Sequence, residues 1–201
     1  MKQRLFKGIK MTILVIAEHD NLELNGSTLN TITAATELGS VTLLIAGSNC
    51  TKVANSAANL LGVSKVLLVD DTKYVNALAE VLAPLILSLA SDYTHILASA
   101  TTFGKNLLPR VAAILDVQQI SEITAIHDTQ TFDRPVYAGN AIATVKSTDP
   151  IKVLTVRSTA FEAANRGEAN AEIVQVDATE NPNQSEFINT QLSKSDRPEL
   201  T

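Results

Sequence analysis

Short apolar runs rich in β-branched residues alternate with helical patterns along the first half of the chain. Each run is almost continuously apolar, a pattern typical of a parallel sheet that is covered by helices on both faces. Because crossovers between parallel strands are right-handed, this order predicts a doubly wound, Rossmann-like, three-layer α/β domain with a mostly parallel sheet. The runs expected to form strands are Thr12–Ala17, Val41–Ala46, Lys65–Val69 and Thr94–Ala98.

Four helical segments are expected between and after these strands. Gly39 and Gly62 follow two of them and are typical C-terminal stops. The third begins at a capping side chain, Asp71 or Thr72, and Pro84 is expected to break or kink it. The expected segments are Ser27–Leu38, Thr51–Leu61, Asp71–Ser91 and Phe103–Leu115.

From Ile120 onward the pattern changes to short strand-like segments with little helix between them. These segments are expected to add edge strands, some of them antiparallel, to the parallel core. The residues Tyr137–Ala141 fit either a hairpin turn or a bulge, and both interpretations stay open. The expected segments are Ile120–Ile126, Arg134–Ala138, Ala141–Lys146, Lys152–Val156 and Ala171–Val176.

The limits of the domain follow from where the apolar pattern begins and ends. Residues 1–10 are basic and lack a hydrophobic period, so we expect a disordered N-terminal extension. A single α/β domain is expected over residues 11–177. Residues 178–201 are polar and have too few apolar side chains for a second core, so we expect a linker.

Composition excludes several classes of function. Apolar residues make up 45% of the chain and aromatic residues 4%, so Ala, Val, Leu and Ile build the core. The formal net charge is −5, and a body this acidic repels a phosphate backbone, which argues against nucleic-acid binding. No apolar run reaches the roughly 18 residues of a membrane helix. The single Cys50 excludes an internal disulfide and a cysteine-rich metal site, and it favours a reducing compartment.

The spacing of polar residues predicts neither a catalytic group nor a metal site. The eight glycines never take the G-x-G-x-x-G spacing of a dinucleotide fingerprint. His19, His95 and His127 are scattered and lack the spacing of metal ligands. Asp70 and Asp71 are adjacent, so on a strand they point to opposite faces, and capping of a helix explains at least one of them better than acid–base chemistry.

A reactive thiol and a catalytic arginine are equally weakly indicated. Cys50 has no basic neighbour closer than Lys52, so an activated thiolate is not expected. Arg110 lies on a predicted helix, and Arg134 and Arg157 lie near strand ends. Arginines at such positions more often form salt bridges or interfaces than catalyse reactions.

One segment, Ser99–Asn106, is similar to a phosphate loop, because it lies at the end of a predicted strand and the start of a predicted helix. It departs from a Walker loop, which has Gly in place of Ser99 and Ser or Thr in place of Asn106. Two interpretations stay open: the hydroxyl groups cap the helix, or its free amides hold an anion weakly. The candidates for the anion site are Ser99, Thr101, Thr102, Gly104 and Lys105.

Several blocks of sequence together match a known family in order and spacing. The longest are ILASATTFGKNLLPRVAAILDV (Ile96–Val117) and TFDRPVYAGNAIATVKS (Thr131–Ser147). The others are ISEITAI, KVLTVRSTAFEAA, the opening ILVIAEHDN and the closing KSDRPELT. Over roughly residues 11–201 the chain resembles the N-terminal domain of the alpha subunit of electron transfer flavoprotein.

The resemblance implies an electron carrier subunit and not an enzyme. It implies a heterodimer with a beta subunit that takes electrons from acyl-CoA dehydrogenases and other flavoprotein dehydrogenases and passes them to a membrane quinone oxidoreductase. It implies FAD held mainly by a C-terminal domain that this chain lacks, and AMP bound only by the beta subunit. For this chain it implies an adenine nucleotide alpha-hydrolase-like scaffold without a cofactor, in the bacterial cytoplasm or, in a eukaryote, the mitochondrial matrix.

Two other classes of function stay open on the sequence. One is an adenine-nucleotide-binding sensor of the universal-stress type that uses the turn at Ser99–Asn106. The other is a hydrolase of the same superfamily, which is disfavoured because its glycine-rich pyrophosphate loop is lacking. Binding of ATP or AMP would separate a sensor from a scaffold.

Overall fold

The structure, a computed structural model, describes residues 11–191 and contains two sheets. The expected N-terminal extension, residues 1–10, lies outside the described residues, as does the end of the expected linker, residues 192–201. Within residues 11–191 the strands are β1 (Thr12–Ile16), β2 (Ser40–Gly47), β3 (Val63–Asp70), β4 (His95–Ser99), β5 (Gln119–Ile123), β6 (Ala125–Ile126), β7 (Thr131–Val136), β8 (Ala141–Lys146), β9 (Lys152–Val156) and β10 (Glu172–Gln175).

The larger sheet has seven strands in the order β10-β3-β2-β1-β4-β9-β5, and every neighbouring pair runs parallel. The order reverses beside β1, because β2 and β3 lie on one side of it and β4 lies on the other. The fold is therefore doubly wound, as expected. Its switch point lies between β1 and β4, where such folds leave a crevice at the carboxyl ends of the strands.

Helices cover both faces of the parallel sheet and complete the three layers. Strand residues alternate between the two faces, so Val15 packs in the cluster that holds Ile32 of one helix, and Leu14 packs in the cluster that holds Leu108 of another. Each fully buried Val, Leu or Ile side chain stabilises the fold by about 1.5–3 kcal/mol. The helices are α1 (Gly26–Thr36) and α2 (Thr51–Ala58) on the first face, and α3 (Ala79–Leu89) and α4 (Thr102–Ile114) on the second.

The second half of the chain differs from the expectation in how its strands are placed. The antiparallel strands β6, β7 and β8 form a separate three-stranded sheet and do not extend the parallel one. The edges of the parallel sheet are β5 and β10, while β9 lies inside it between β4 and β5. The expected single strand Ile120–Ile126 is divided between the two sheets, because Glu122 adopts a φ of 56° and the β5 register shifts there.

The segment between β7 and β8 forms a turn. Tyr137, Ala138 and Gly139 have φ values of 51°, 54° and 86°, and Val136 pairs directly with Ala141. Of the two interpretations left open by the sequence, the hairpin turn is therefore the one observed.

Several helix boundaries differ from the expectation, and α2 ends at Ala58 instead of Leu61. The cap of α1 is Asn25 instead of Ser27, and the Asn25 side chain accepts a hydrogen bond from Ser27 N at 3.0 Å. The expected third helix is interrupted, but not at Pro84, which lies inside α3: Asp71 caps a short 3-10 turn, and Ala77 takes a left-handed φ of 48° before α3 begins. At Gly39 the reason for glycine is space, since an added Cβ would lie 2.7 Å from the Met11 carbonyl oxygen.

The C-terminal segment, here residues 178–191, contains no helix or strand, yet it follows the surface of the domain. Thr179 N donates to the Tyr74 hydroxyl at 3.1 Å, and Lys73 Nζ donates to the Thr179 carbonyl oxygen at 3.0 Å. Farther along, Ser185 Oγ donates to Glu80 Oε2 at 3.1 Å. The segment is therefore held against the 3-10 turn and α3. None of the helices described between residues 11 and 191 has the length and apolarity that crossing a membrane requires.

Candidate functional site

The crevice at the switch point is bordered by the loop that follows β1 and by the loop between β4 and α4. The expected anion-site residues lie on the second border. Ser99 is the last residue of β4, Thr101 is the N-cap of α4, and the first turn of α4 contains Thr102, Gly104 and Lys105. The sequence therefore located this border correctly at the end of a strand and the start of a helix.

A carboxylate of the chain itself, that of Glu18, lies in this crevice. Thr101 Oγ1 donates to Glu18 Oε2 at 2.6 Å, and Ser27 Oγ lies 3.5 Å from the same oxygen. The Glu18 backbone is also fixed, because its N–H donates to Thr28 Oγ1 at 3.0 Å. Glu18 thus joins the loop after β1 to the N-terminal ends of α1 and α4. Sequence reasoning missed this residue, although an acid directly after the first strand was the available signal.

The Ser99 hydroxyl is buried and points to α1. Ser99 Oγ and Thr31 Oγ1 are 3.0 Å apart, and Thr31 Oγ1 donates its own hydrogen to the Ser27 carbonyl oxygen at 3.0 Å. Ser99 must therefore be the donor to Thr31, so its hydroxyl joins the sheet to α1 and is not directed at the crevice.

The other candidates also have partners or structural roles. An added Cβ at Gly104 would lie 2.0 Å from the Ser99 carbonyl oxygen, so glycine allows α4 to pack against the end of β4. Lys105 Nζ forms an ion pair with Glu122 Oε1 at 2.5 Å. Thr101 does not cap α4 with its side chain, so the capping interpretation is wrong for this residue. Thr102 is exposed.

The three histidines are separate from one another and have structural partners. Burial lowers the pKa of His19, whose Nδ1 accepts a hydrogen bond from Asn21 N at 3.1 Å. Burial also lowers the pKa of His95, whose Nε2 lies 2.8 Å from the Thr129 carbonyl oxygen. His127 Nε2 lies 3.0 Å from an Asp133 carboxylate oxygen. Residues 11–191 contain no group of three or more His, Cys, Asp or Glu side chains able to hold a metal ion.

The adjacent carboxylates and the thiol have structural partners as well. Asp71 Oδ1 accepts from Lys73 N at 3.0 Å, and this bond lowers the pKa of Asp71. Asp70 Oδ1 accepts from Asn49 N at 2.6 Å. Cys50 is fully buried, and desolvation together with the charge of Asp70 raises the pKa of its thiol to about 11.

The arginines fall into two groups. Arg110 Nη2 forms the expected salt bridge with Glu80 Oε1 at 2.7 Å. Arg134 and Arg157 form no ion pair within residues 11–191, and both line a cavity of about 370 Å³ beside the hairpin turn.

Comparison with known proteins decides which family this architecture belongs to. The family model "Electron transfer flavoprotein domain" matches residues 13–181, which include both sheets. The chain belongs to the electron transfer flavoprotein family. The resemblance seen in the sequence is therefore confirmed, and the universal-stress alternative is not supported.

Relatives in the electron transfer flavoprotein family carry the name of one subunit. "Electron transfer flavoprotein subunit alpha" of Pseudomonas aeruginosa is 52% identical, covering 95% of this chain and 62% of the relative. The mitochondrial alpha subunit of Dictyostelium discoideum is 46% identical, covering 100% of this chain and 63% of the relative. The alpha subunit of Paracoccus denitrificans is also 46% identical, with coverages of 95% and 62%. The chain thus spans less than two thirds of the length of these relatives.

Proposed function

We propose that this chain is the scaffold and heterodimerisation part of an electron transfer flavoprotein alpha subunit. The observation that carries the proposal is the match of the family over residues 13–181 together with relatives that are named alpha subunits. The whole protein would shuttle electrons from acyl-CoA dehydrogenases and other flavoprotein dehydrogenases to a quinone oxidoreductase. It would act in the cytoplasm of a bacterium or the mitochondrial matrix of a eukaryote.

In this proposal FAD is bound mainly outside the described residues, and AMP is bound by the beta subunit. Two features of the chain favour such a division. No pair of glycines has the spacing of a dinucleotide fingerprint. The switch-point crevice holds the Glu18 carboxylate, which repels a phosphate group at the place where doubly wound folds bind nucleotides. The anion candidates on α4 therefore form at most a weak site.

The antiparallel sheet is the part of the surface that best suits a partner subunit. Tyr137 and Ile142 are 83% and 59% exposed and lie on or beside the hairpin turn. Aromatic and large apolar side chains are enriched at the centres of protein interfaces. The opposite positions of β7 are covered, since Phe132 is fully buried. One face of this sheet thus packs on the domain while the other is open to a partner.

Co-expression with the cognate beta subunit tests the proposal. The full-length subunit that contains this chain is expected to co-elute with beta in size exclusion, and deletion of residues 11–177 is expected to abolish the complex. The 201-residue chain alone is expected to be colourless after growth with ample riboflavin. A heterodimer that forms equally well after the deletion, or a stoichiometric flavin spectrum from the chain alone, would contradict the proposal.

Calorimetry with AMP tests the absence of a tight nucleotide site. The chain is expected to bind AMP no more tightly than about 1 mM, near −4 kcal/mol. The Glu18→Gln variant keeps an acceptor for Thr101 but loses the charge, so its affinity for AMP is expected to rise by about tenfold or less. Micromolar binding by the unmodified chain would instead favour a nucleotide sensor.

A further inference from the structure

The cavity beside the hairpin turn is built at three strands of the second half of the chain, which belong to both sheets. Arg134 lies on β7, Arg157 directly follows β9, and Glu122 lies at the irregularity of β5. The residues of the turn itself complete the lining, and the cavity volume is about 370 Å³.

The charges around this cavity are unbalanced. Its own carboxylate, Glu122, is engaged by Lys105 at 2.5 Å. Neither Arg134 nor Arg157 forms an ion pair or a side-chain hydrogen bond within residues 11–191. In addition, Arg134 Nε is buried without an acceptor. Buried donors without a partner are rare in native proteins, so this nitrogen points to a group that is supplied from elsewhere.

The backbone around the cavity is strained in the same region. Glu122, Tyr137 and Ala138 have φ values of 56°, 51° and 54°, in the left-handed region that non-glycine residues seldom adopt. Such residues cluster at binding sites, where the surrounding structure holds them in place. The values at Tyr137 and Ala138 belong to the hairpin turn, so Glu122 is the residue on this lining whose left-handed backbone is not explained by that turn.

The chemistry of the lining favours a single carboxylate. The planar guanidinium group donates two parallel hydrogen bonds to a carboxylate, and the roughly four lone pairs of one carboxylate can accept hydrogen bonds from both arginines. The nearby Glu122 would repel a doubly charged phosphate group more strongly than a singly charged carboxylate. The exposed Tyr137 on the lining provides apolar contact that a free small anion would not use.

We infer that this cavity receives the carboxylate of an Asp or Glu side chain from the beta subunit, with Arg134 and Arg157 as its ligands. Tyr137 packs against the inserted segment. This inference rests on the proposed function, and it names the kind of residue on the partner that the alpha subunit recognises. Because the chain as a whole is acidic, with a net charge of −5, this local pair of arginines also orients the approach of the partner.

The test uses the full-length subunit and its beta partner. The double variant Arg134→Gln/Arg157→Gln is expected to raise the Kd for beta at least tenfold at about 50 mM salt. It is also expected to make the Kd depend less on salt concentration between about 50 and 500 mM. The matched control is Arg166→Gln, which removes an exposed arginine outside the cavity and is expected to leave both quantities unchanged. Circular dichroism and thermal unfolding check that each variant is folded.

A second variant keeps the positive charges but removes the planar guanidinium groups. Arg134→Lys/Arg157→Lys is expected to give an intermediate Kd with the salt dependence retained. If the glutamine variant does not fold, this lysine variant tests whether the two guanidinium groups bind the carboxylate. Unchanged affinity and salt dependence in the folded double variants would overturn this inference and leave the heterodimer proposal intact. Failure of the unmodified subunit to bind beta would overturn both.

Discussion

Individual polar residues in this protein join its layers. His95 is fully buried, and its Nε2–H donates to the Thr129 carbonyl oxygen, because a carbonyl can only accept. Its ring also meets Phe132 edge-on, with centroids 6.4 Å apart. Thr129 lies in the loop between β6 and β7, and Phe132 lies on β7, so His95 joins the antiparallel sheet to β4. A histidine in an apolar run gives no sign in the sequence of which distant carbonyl it will meet.

The pH dependence of stability follows from this burial. Desolvation lowers the pKa of His95 in the folded state, and that of His19 as well, whereas the unfolded chain takes up protons near pH 6.5. The contribution of both histidines to the free energy of unfolding is therefore fully present above pH 6.5 or so, and it is lost as the pH falls from about 6.5 toward the folded-state pKa. Urea unfolding at pH 7.5 and 5.5 is expected to give a smaller free energy of unfolding at pH 5.5.

The variant His95→Gln isolates the contribution of this residue to the pH dependence. It is expected to lower stability at pH 7.5 and to reduce the difference between the two pH values. An unchanged difference in the variant would show that His95 does not titrate in this way.

The thiol of Cys50 is expected to be unreactive in the folded protein. Its side chain is fully buried, and its pKa of about 11 leaves very little thiolate at pH 8. Iodoacetamide is therefore expected to label Cys50 quickly only after denaturant is added. Mass spectrometry of labelled samples with and without denaturant makes the comparison, and rapid labelling of the native chain would contradict the assignment.

At the scale of secondary-structure elements, local patterns predicted most strands and helices, while tertiary placement escaped them. The segments Ala141–Lys146 and Lys152–Val156 were predicted with the observed bounds. The division of Ile120–Ile126 was not, because it depends on Glu122 adopting a left-handed backbone, which carries no residue-type signal. The interruption before α3 has the same cause at Ala77.

The candidate site shows the same limit. The sequence identified the border at Ser99–Lys105, because the change from strand to helix is a local signal. Glu18 was visible as an acid after the first strand, but its contact with Thr101 was not, since the two residues meet only after β1 and β4 have paired. Contacts between parallel strands that are far apart in the chain leave no trace in a local pattern.

The close packing of α4 against the end of β4 predicts that Gly104 cannot be replaced without loss of stability. Gly104→Ala is expected to lower the free energy of unfolding by ~1–3 kcal/mol or more, because the added Cβ would lie 2.0 Å from backbone oxygen of Ser99. Gly26→Ala is the matched control at the start of α1, where no atom lies within 4 Å of an added Cβ. It is expected to be neutral or stabilising by up to ~1 kcal/mol. Equal effects of the two variants in urea unfolding would contradict the packing argument.

For the whole molecule, the C-terminal segment determines where the chain leaves the domain. Glu80 and Arg110 both bind the C-terminal segment to the domain. Glu80 Oε2 accepts a hydrogen bond from Ser185, and Arg110 Nη1 donates to Gln184 Oε1 at 3.3 Å. Tyr74 adds two bonds to Thr179, one to its N–H and one to its hydroxyl. The exit direction is thus fixed by the surface of α3 and α4, although each bond is exposed or partly exposed and individually weak.

Releasing this segment is expected to increase its cleavage by proteases. In the double variant Tyr74→Phe/Glu80→Gln, hydrolysis after Glu186 and Phe187 is expected to be several-fold faster, because cleavage requires local detachment. The control Tyr93→Phe removes a tyrosine hydroxyl that does not contact the segment and is expected to leave the rate unchanged. Equal cleavage rates in both variants and the unmodified chain would show that the segment is not held.

The position of β9 inside the parallel sheet has a consequence for synthesis of the chain. His95 pairs with Lys152, so one side of β4 stays open until the ribosome has made the entire stretch between them. At roughly 5–20 residues per second this takes several seconds. During that time the unpaired edge of β4, which is fully buried in the native fold, is available to chaperones or to other nascent chains. Chains terminated before Val156 are therefore expected to aggregate instead of forming a smaller stable domain.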